Sequence, residues 1–185
     1  MHIVFDIETN GLYYEATTIH CIAIKIEDGD TCVYTARPIK GSSGSIEQGL
    51  EILKAHKAHT LVGHNIINFD LAVLKKLYGF EHKGKLLDTL LVSKLKYTNL
   101  VLIDSNNSKL PPKLRGSHSL KAWGYRLGNY KEVHEDWSQL SEEMVHYCKQ
   151  DVEVNYSLLQ RMLLRGLPPQ QAINLEQDFA TIIAR

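Results

Sequence analysis

Apolar and polar positions along the chain divide into stretches of strand period and stretches of helix period. Residues 2–7 (HIVFDI) are mostly apolar and β-branched and end in an acid, the pattern of a buried strand. A second strand is expected near 19–27, where Ile22, Ile24 and Ile26 alternate with Ala23 and Lys25. After the turn signal Asp28-Gly29-Asp30 a third follows at 31–37, so these strands read as a meander. Gly41 to Ser45 is loop-like in composition. Ser45 is then placed to cap a helix over 46–58, with Ile46, Leu50, Leu53 and Lys57 on one stripe.

A short apolar strand at 60–63 leads into His64-Asn65, and a helix is expected from near Phe69 to Tyr78, before Gly79. Asp88 is the expected N-cap of a helix over 88–96. Residues 97–115 lack a period and are expected to be irregular. Ser117 is expected to cap a helix over 118–127 that stops at Gly128. Ser141, followed by Glu142 and Glu143, opens a long helix that ends near Arg165, before Gly166 and Pro168. Strands first, then strand–helix alternation, predict an α/β protein with a mixed sheet flanked by helices.

Residues 169–185 are again helical in pattern, with Leu175, Phe179 and Ile182/Ile183 on an apolar stripe that runs to the last residue. The organisation expected from this is one domain over 1–168, with 169–185 starting a helix that leads toward a further domain. No tract is long and apolar enough for a membrane span, which needs roughly 18 residues, and the first residues lack a signal-peptide pattern. Cys21, Cys32 and Cys148 form no CxxC pair, so a disulfide framework and a zinc knuckle are both disfavoured. A reducing, cytoplasmic setting is expected. The 21 basic side chains balance 21 acidic ones, which argues against coating nucleic acid through bulk positive charge. A local basic groove beside a local acidic site stays open.

The candidate chemistry lies in carboxylates. Asp6 and Glu8, two apart in a strand, project to the same side. Two anions held close repel unless a cation intervenes, and a hard divalent metal prefers such oxygen ligands. Taken alone, the pair reads equally as acids that cap a turn. Asn65-Ile66-Ile67-Asn68-Phe69-Asp70 brings a further acid after an Asn-bearing loop, although Asn68 or Asp70 could simply cap the next helix. Tyr147 and Asp151, at i and i+4 of the long helix, share one face, a spacing also common on solvated helices.

In this order the three motifs resemble the DEDD superfamily of 3′→5′ exonucleases, whose fold is DnaQ-like and ribonuclease-H-like. Leu87-Asp88-Thr89-Leu90, the run from Gly116-Ser117-His118-Ser119-Leu120 to Gly128, and Tyr147-Cys148-Lys149-Gln150-Asp151-Val152 narrow the likeness. They are similar to the N-terminal proofreading domain of the family A DNA polymerases of T-seven-like bacteriophages. The resemblance implies Asp6, Glu8, Asp70 and Asp151 as ligands of two divalent ions, Mg²⁺ or Mn²⁺, with Tyr147 marking the DEDDy branch. It further implies hydrolysis of the 3′-terminal phosphodiester of single-stranded or frayed DNA, with release of 5′-mononucleotides in a phage-infected or bacterial cell.

His146, five residues before Asp151, has the spacing of the DEDDh histidine. At about 100° per residue, Tyr147 lies about 40° from Asp151 and His146 about 140° away, so Tyr147 is the one expected to face the acids. A tyrosine near its usual pKa of about 10 is a poor base, so a hydrogen bond to the attacking water is its expected role. The resemblance also implies Leu12 as an apolar wedge under the last base and Asn65 as a contact to the end nucleotide. Lys109, Lys113 and Arg115 are candidate phosphate contacts in a basic loop. Trp123 and Tyr125 are expected in the core. Two other functions remain open: a 3′→5′ exoribonuclease of the same superfamily, and a non-catalytic binding module on the same fold. No P-loop or dinucleotide glycine pattern occurs.

Overall fold

In the computed structural model, residues 1–129 and 136–183 are described, and the following refers to them. The strands are β1 (His2–Thr9), β2 (Ile19–Ile26), β3 (Cys32–Thr35), β4 (Gly44–Ser45), β5 (Thr60–Gly63) and β6 (Leu86–Asp88). They form one mixed sheet in the order β4-β3-β2-β1-β5-β6. The β1–β2–β3 meander is antiparallel, as the sequence predicts, and β5 and β6 join parallel to β1. The third strand is shorter than expected. β4 and β6 are too short to leave a periodic signal.

The helices are α1 (Ile46–Ala55), α2 (Asp70–Tyr78), α3 (Thr89–Lys96), α4 (Leu100–Asp104), α5 (Leu120–Leu127), α6 (Glu142–Leu164) and α7 (Gln170–Ile183). Ser45 caps α1 through a capping box with Gln48, and Asp88 caps α3, both as expected. Ser119, not Ser117, caps α5; the Ser117 hydroxyl is used one step earlier, donating to Ser119 Oγ at 3.0 Å. Lys57 falls beyond the end of α1 and is exposed.

The stretch expected to be irregular contains α4 and a 3-10 turn at Pro112–Leu114. A buried ion pair organises it: Arg126 of α5 grips Asp104 through two hydrogen bonds of 2.9 and 2.7 Å and stacks its guanidinium over Trp123. Partners so far apart along the chain give no local signal.

The strand period sorts β1 onto two cores. Ile3, Phe5 and Ile7 pack with α1 and α2 on one face. Val4 points to the other face, where Val152, Leu158 and Met162 of α6 and Trp123 of α5 lie. Asp6 and Glu8 continue the Val4 side, toward α6. The buried stripe of α6 runs Met144, Cys148, Asp151, Asn155, Leu158, Met162, with two polar residues inside an otherwise apolar series. On α7 the expected apolar stripe is turned outward: Leu175, Phe179, Ile182 and Ile183 are exposed, while Ile173 and Ala180 are buried.

Candidate active site

β1 carries Asp6 and Glu8 into the middle of the sheet's end, and its pairing with β2 slips between Glu8 and Thr9. Such an irregularity bends the strand and re-aims its side chains. Asp70 is the first residue of α2. It does not cap that helix: the N-cap is Phe69, which makes no side-chain cap bond. The carboxylate turns instead to β1, where its Oδ1 accepts the Ile7 N–H, between the two strand acids, at 3.1 Å. From the other face, α6 brings Cys148 against β1, its thiol donating to Asp6 O at 3.7 Å. Ligand atoms of Asp6, Glu8 and Cys148 lie within 4.8 Å of one another. Asp151, one turn further along α6, is close enough for its charge to act on Asp70.

These acids are mostly buried, Glu8 at 8% exposure and Asp151 at 6%. Burial pushes Asp70 up to about 8, and the charges of Asp88 and Asp151 add to the rise, against hydrogen bonds from its own N–H and that of Ile7. Cys148 is raised by burial, then by Cys21 and by the charges of Glu8 and Asp6. Thus Asp6 and Glu8 act on Cys148 from one side and Asp151 on Asp70 from the other. The two groups are joined through β1, where Asp70 accepts the Ile7 N–H between Asp6 and Glu8. An all-oxygen carboxylate donor set of this kind fits hard divalent cations. The raised, buried thiol beside it is a poor competitor, since a metal takes the thiolate.

Beside the acids lies a cavity of about 330 Å³ with Glu8, Leu12, Glu15, Phe69 and Trp137 in its wall. Leu12 is 74% exposed and stands at the rim. Its loop is pinned by Lys76 of α2, whose ammonium donates to the carbonyls of Tyr13, Tyr14 and Ala16 at 2.8–3.1 Å. Trp137 stacks edge-on against Tyr147, centroids 5.3 Å apart. His146 is exposed. The sequence reading assigns neither Phe69 nor Trp137 a contact with substrate. Phe69 lies within the motif that carries Asp70, whereas Trp137 reaches the cavity from a segment without periodicity.

Asn65 takes a left-handed backbone (φ 68°) that asparagine tolerates. Its side-chain oxygen accepts from Asn68 at 3.1 Å. Lys109, Lys113 and Arg115 are exposed on the loop behind α4, and none of them lines the cavity. Trp123 is buried, as expected.

A central acid-bearing strand in a mixed sheet, with helices delivering two more acids from both faces, is the architecture of ribonuclease-H-like, DnaQ-type exonucleases. The chain matches the family model for 3′–5′ exonuclease over residues 2–166, and it belongs to that family. It is 33% identical to the DNA-directed DNA polymerase of Enterobacteria phage T3 over an alignment of 190 residues. Identity to that of Escherichia phage T7 is 34% over 190 residues. Each alignment takes in 87% of this chain and 26% of the relative, so the chain spans about a quarter of the length of these curated relatives. Among solved structures, Brucella melitensis NrnC with bound Mg²⁺ superposes at TM-score 0.64 with 23% identity, covering 99% of this chain and 83% of that one. The apo form of a nuclease gives 0.63 and 21%, over 99% and 81%. These likenesses show the shared fold. Among the described residues no helix is long and apolar enough to cross a membrane.

Proposed function

We propose that this 3′–5′ exonuclease acts on DNA, removing 5′-mononucleotides one at a time from a single-stranded or frayed 3′ end, as the proofreading portion of a phage-type DNA polymerase. The observation that carries the reading is Asp6 and Glu8 side by side at the strand end, with Asp70 bonded to the Ile7 N–H between them and Glu8 opening onto the cavity; Asp151 completes the set in this reading. The polymerase context rests on the likeness to the phage T3 and T7 polymerases. In it, residues 1–168 form the nuclease unit, 169–185 lead toward the polymerase portion, and the site of action is the cytoplasm of the infected cell.

The four carboxylates would hold Mg²⁺ or Mn²⁺. When bound, such ions neutralise the phosphate and stabilise charge developing on the attacking and leaving oxygens. The chain's own residues do the rest. Leu12 at the rim, with Phe69 and Trp137, takes the terminal base by stacking and apolar contact, which is tolerant of sequence. Asn65 Nδ2 donates to the end nucleotide. Glu8 accepts a hydrogen bond from the attacking water, and the Tyr147 hydroxyl orients the same water. The ring of Tyr147 is held in place by Trp137, so this orientation costs little entropy in the transition state. Lys109, Lys113 and Arg115 contact phosphates further along the strand.

The test is a 5′-labelled single-stranded DNA oligomer incubated with Mg²⁺, alongside the same reaction in EDTA and a matched RNA oligomer. Stepwise shortening of DNA that EDTA stops, faster than that of RNA, supports the reading. Faster trimming of RNA would make the chain an exoribonuclease, and no shortening of either would make it a binding module.

A further inference from the structure

β6 is the outer strand of the sheet, and α7 lies along it. An open strand edge leaves N–H and C=O groups without a neighbour. The α7 residue facing this edge, between the buried Ile173 and Ala180, is Gln177. Its Oε1 accepts the Asp88 N–H at 2.8 Å and its Nε2 donates to Leu86 O at 3.2 Å. One side-chain amide thus makes the two bonds that a further strand would make.

Asp88, held by its main chain in this way, is fully buried. Its Oδ1 accepts the N–H groups of Leu90 and Leu91 as the cap of α3, at 3.0 and 3.4 Å. The same carboxylate reaches the loop after β5. Oδ1 accepts the Asn65 N–H at 3.0 Å, and Oδ2 the Ile67 N–H at 3.4 Å. That loop contains the left-handed Asn65, and its Phe69 leads directly into Asp70. It therefore sets both the proposed nucleotide contact and the start of the helix that delivers a proposed metal ligand.

We propose that Gln177, acting through Asp88, is a positioning residue for hydrolysis, so that the seating of α7 on the sheet edge sets the geometry of the 65–70 loop. This rests on the reading of Asp6, Glu8, Asp70 and Asp151 as the hydrolytic centre. A purely structural edge clamp would support the fold and leave the loop unchanged. A positioning residue must move the loop's amides and the site's metal affinity together. Any force that lifts α7 would then weaken the nuclease without touching its acids.

The experiment compares Gln177→Met, which keeps length and bulk without donor or acceptor, with Asp178→Ala at an exposed position of α7 outside this groove. Asp88→Ser is added because serine still caps α3 but is too short to reach the loop. Amide hydrogen exchange, Mn²⁺ affinity, Tm and the kcat and KM for a single-stranded oligomer are measured for each. Gln177→Met and Asp88→Ser are expected to deprotect the Asn65 and Ile67 amides and to lose about tenfold or more in kcat and Mn²⁺ affinity, the usual effect of removing an outer-shell partner. Asp178→Ala is expected to match the wild type. Unchanged exchange at Asn65 and Ile67 in Gln177→Met, or a lower Tm with wild-type kcat and Mn²⁺ affinity, overturns the proposal. Should wild type itself show no cleavage that depends on Asp6, the hydrolytic reading falls instead, while the exchange data still decide whether Gln177 holds the loop.

Discussion

Asp70 and Asp104 are buried to nearly the same extent, at 3% and 1% exposure, yet their acidities move in opposite directions. Burial pushes Asp104 up, but the Arg126 hydrogen bonds, the Gly116 N–H and the guanidinium charge outweigh it and hold the carboxyl below its ordinary range. Burial also pushes Asp70 up, and its carboxylate neighbours push the same way, to about 8. One acid has its counter-charge within the fold. The other sits among like charges at a sheet end, next in sequence to Phe69 of the cavity wall. Under the proposed function, the contrast separates a carboxylate that holds the structure together from one kept for a charge that arrives from outside.

The largest test of the contrast is activity. Asp6→Ala or Asp151→Ala is expected to remove 3′–5′ hydrolysis by on the order of 10³-fold or more, the scale of losing a preorganised charge that acts on the transition state. Both variants should remain folded by circular dichroism. Asp104→Ala is expected to do the reverse. Breaking a buried ion pair from one side costs about 3–5 kcal/mol, read by urea unfolding, while the folded fraction keeps most of its rate.

A smaller effect lies in pH. Because the folded Asp70 holds its proton above its ordinary 3.8, its contribution to stability is full below that value and is lost as pH rises toward 8. In EDTA, Tm is therefore expected to fall between pH 5 and 8, and Asp70→Asn to flatten the decline. Mn²⁺ at pH 8 should restore about 2–4 °C or more, the shift that 1 kcal/mol makes in a chain of this size. Asp104 gives the opposite slope, its contribution being lost only as pH falls through its depressed value. The smallest change is Tyr147→Phe, expected to leave a measurable rate reduced about tenfold, the worth of one hydrogen bond in the transition state.

Much of this contrast is legible in the sequence, for identifiable reasons. Asp6 and Glu8 stand out because strand period puts them on one side. Asp151 stands out because helix period puts a carboxylate inside the Met144–Cys148–Leu158 stripe. Ser45 and Asp88 announce their helices because capping is a local bond. The readings that changed depend on partners distant along the chain. Nothing near Asp104 in the sequence points to Arg126. The apolar stripe of α7 faces outward because the sheet edge beneath needs a donor and an acceptor, which Gln177 supplies and Leu175 or Phe179 cannot. Trp137 enters the cavity wall through tertiary packing alone. Asn68 and Asp70 are equally good cap candidates by residue type; only the position of β1 shows that Asp70 is turned to Ile7 instead.

The proposed function stands on Asp6, Glu8, Asp70 and Asp151, drawn from three separate segments, holding divalent cations together. Calorimetric titration of Mn²⁺ into the metal-free protein tests it most directly, with Asp6→Ala and Asp151→Ala titrated in parallel. The account predicts saturable binding by the wild type and loss of that binding in both variants. Mn²⁺ uptake that is absent from the wild type, or that persists undiminished in both variants, would contradict it.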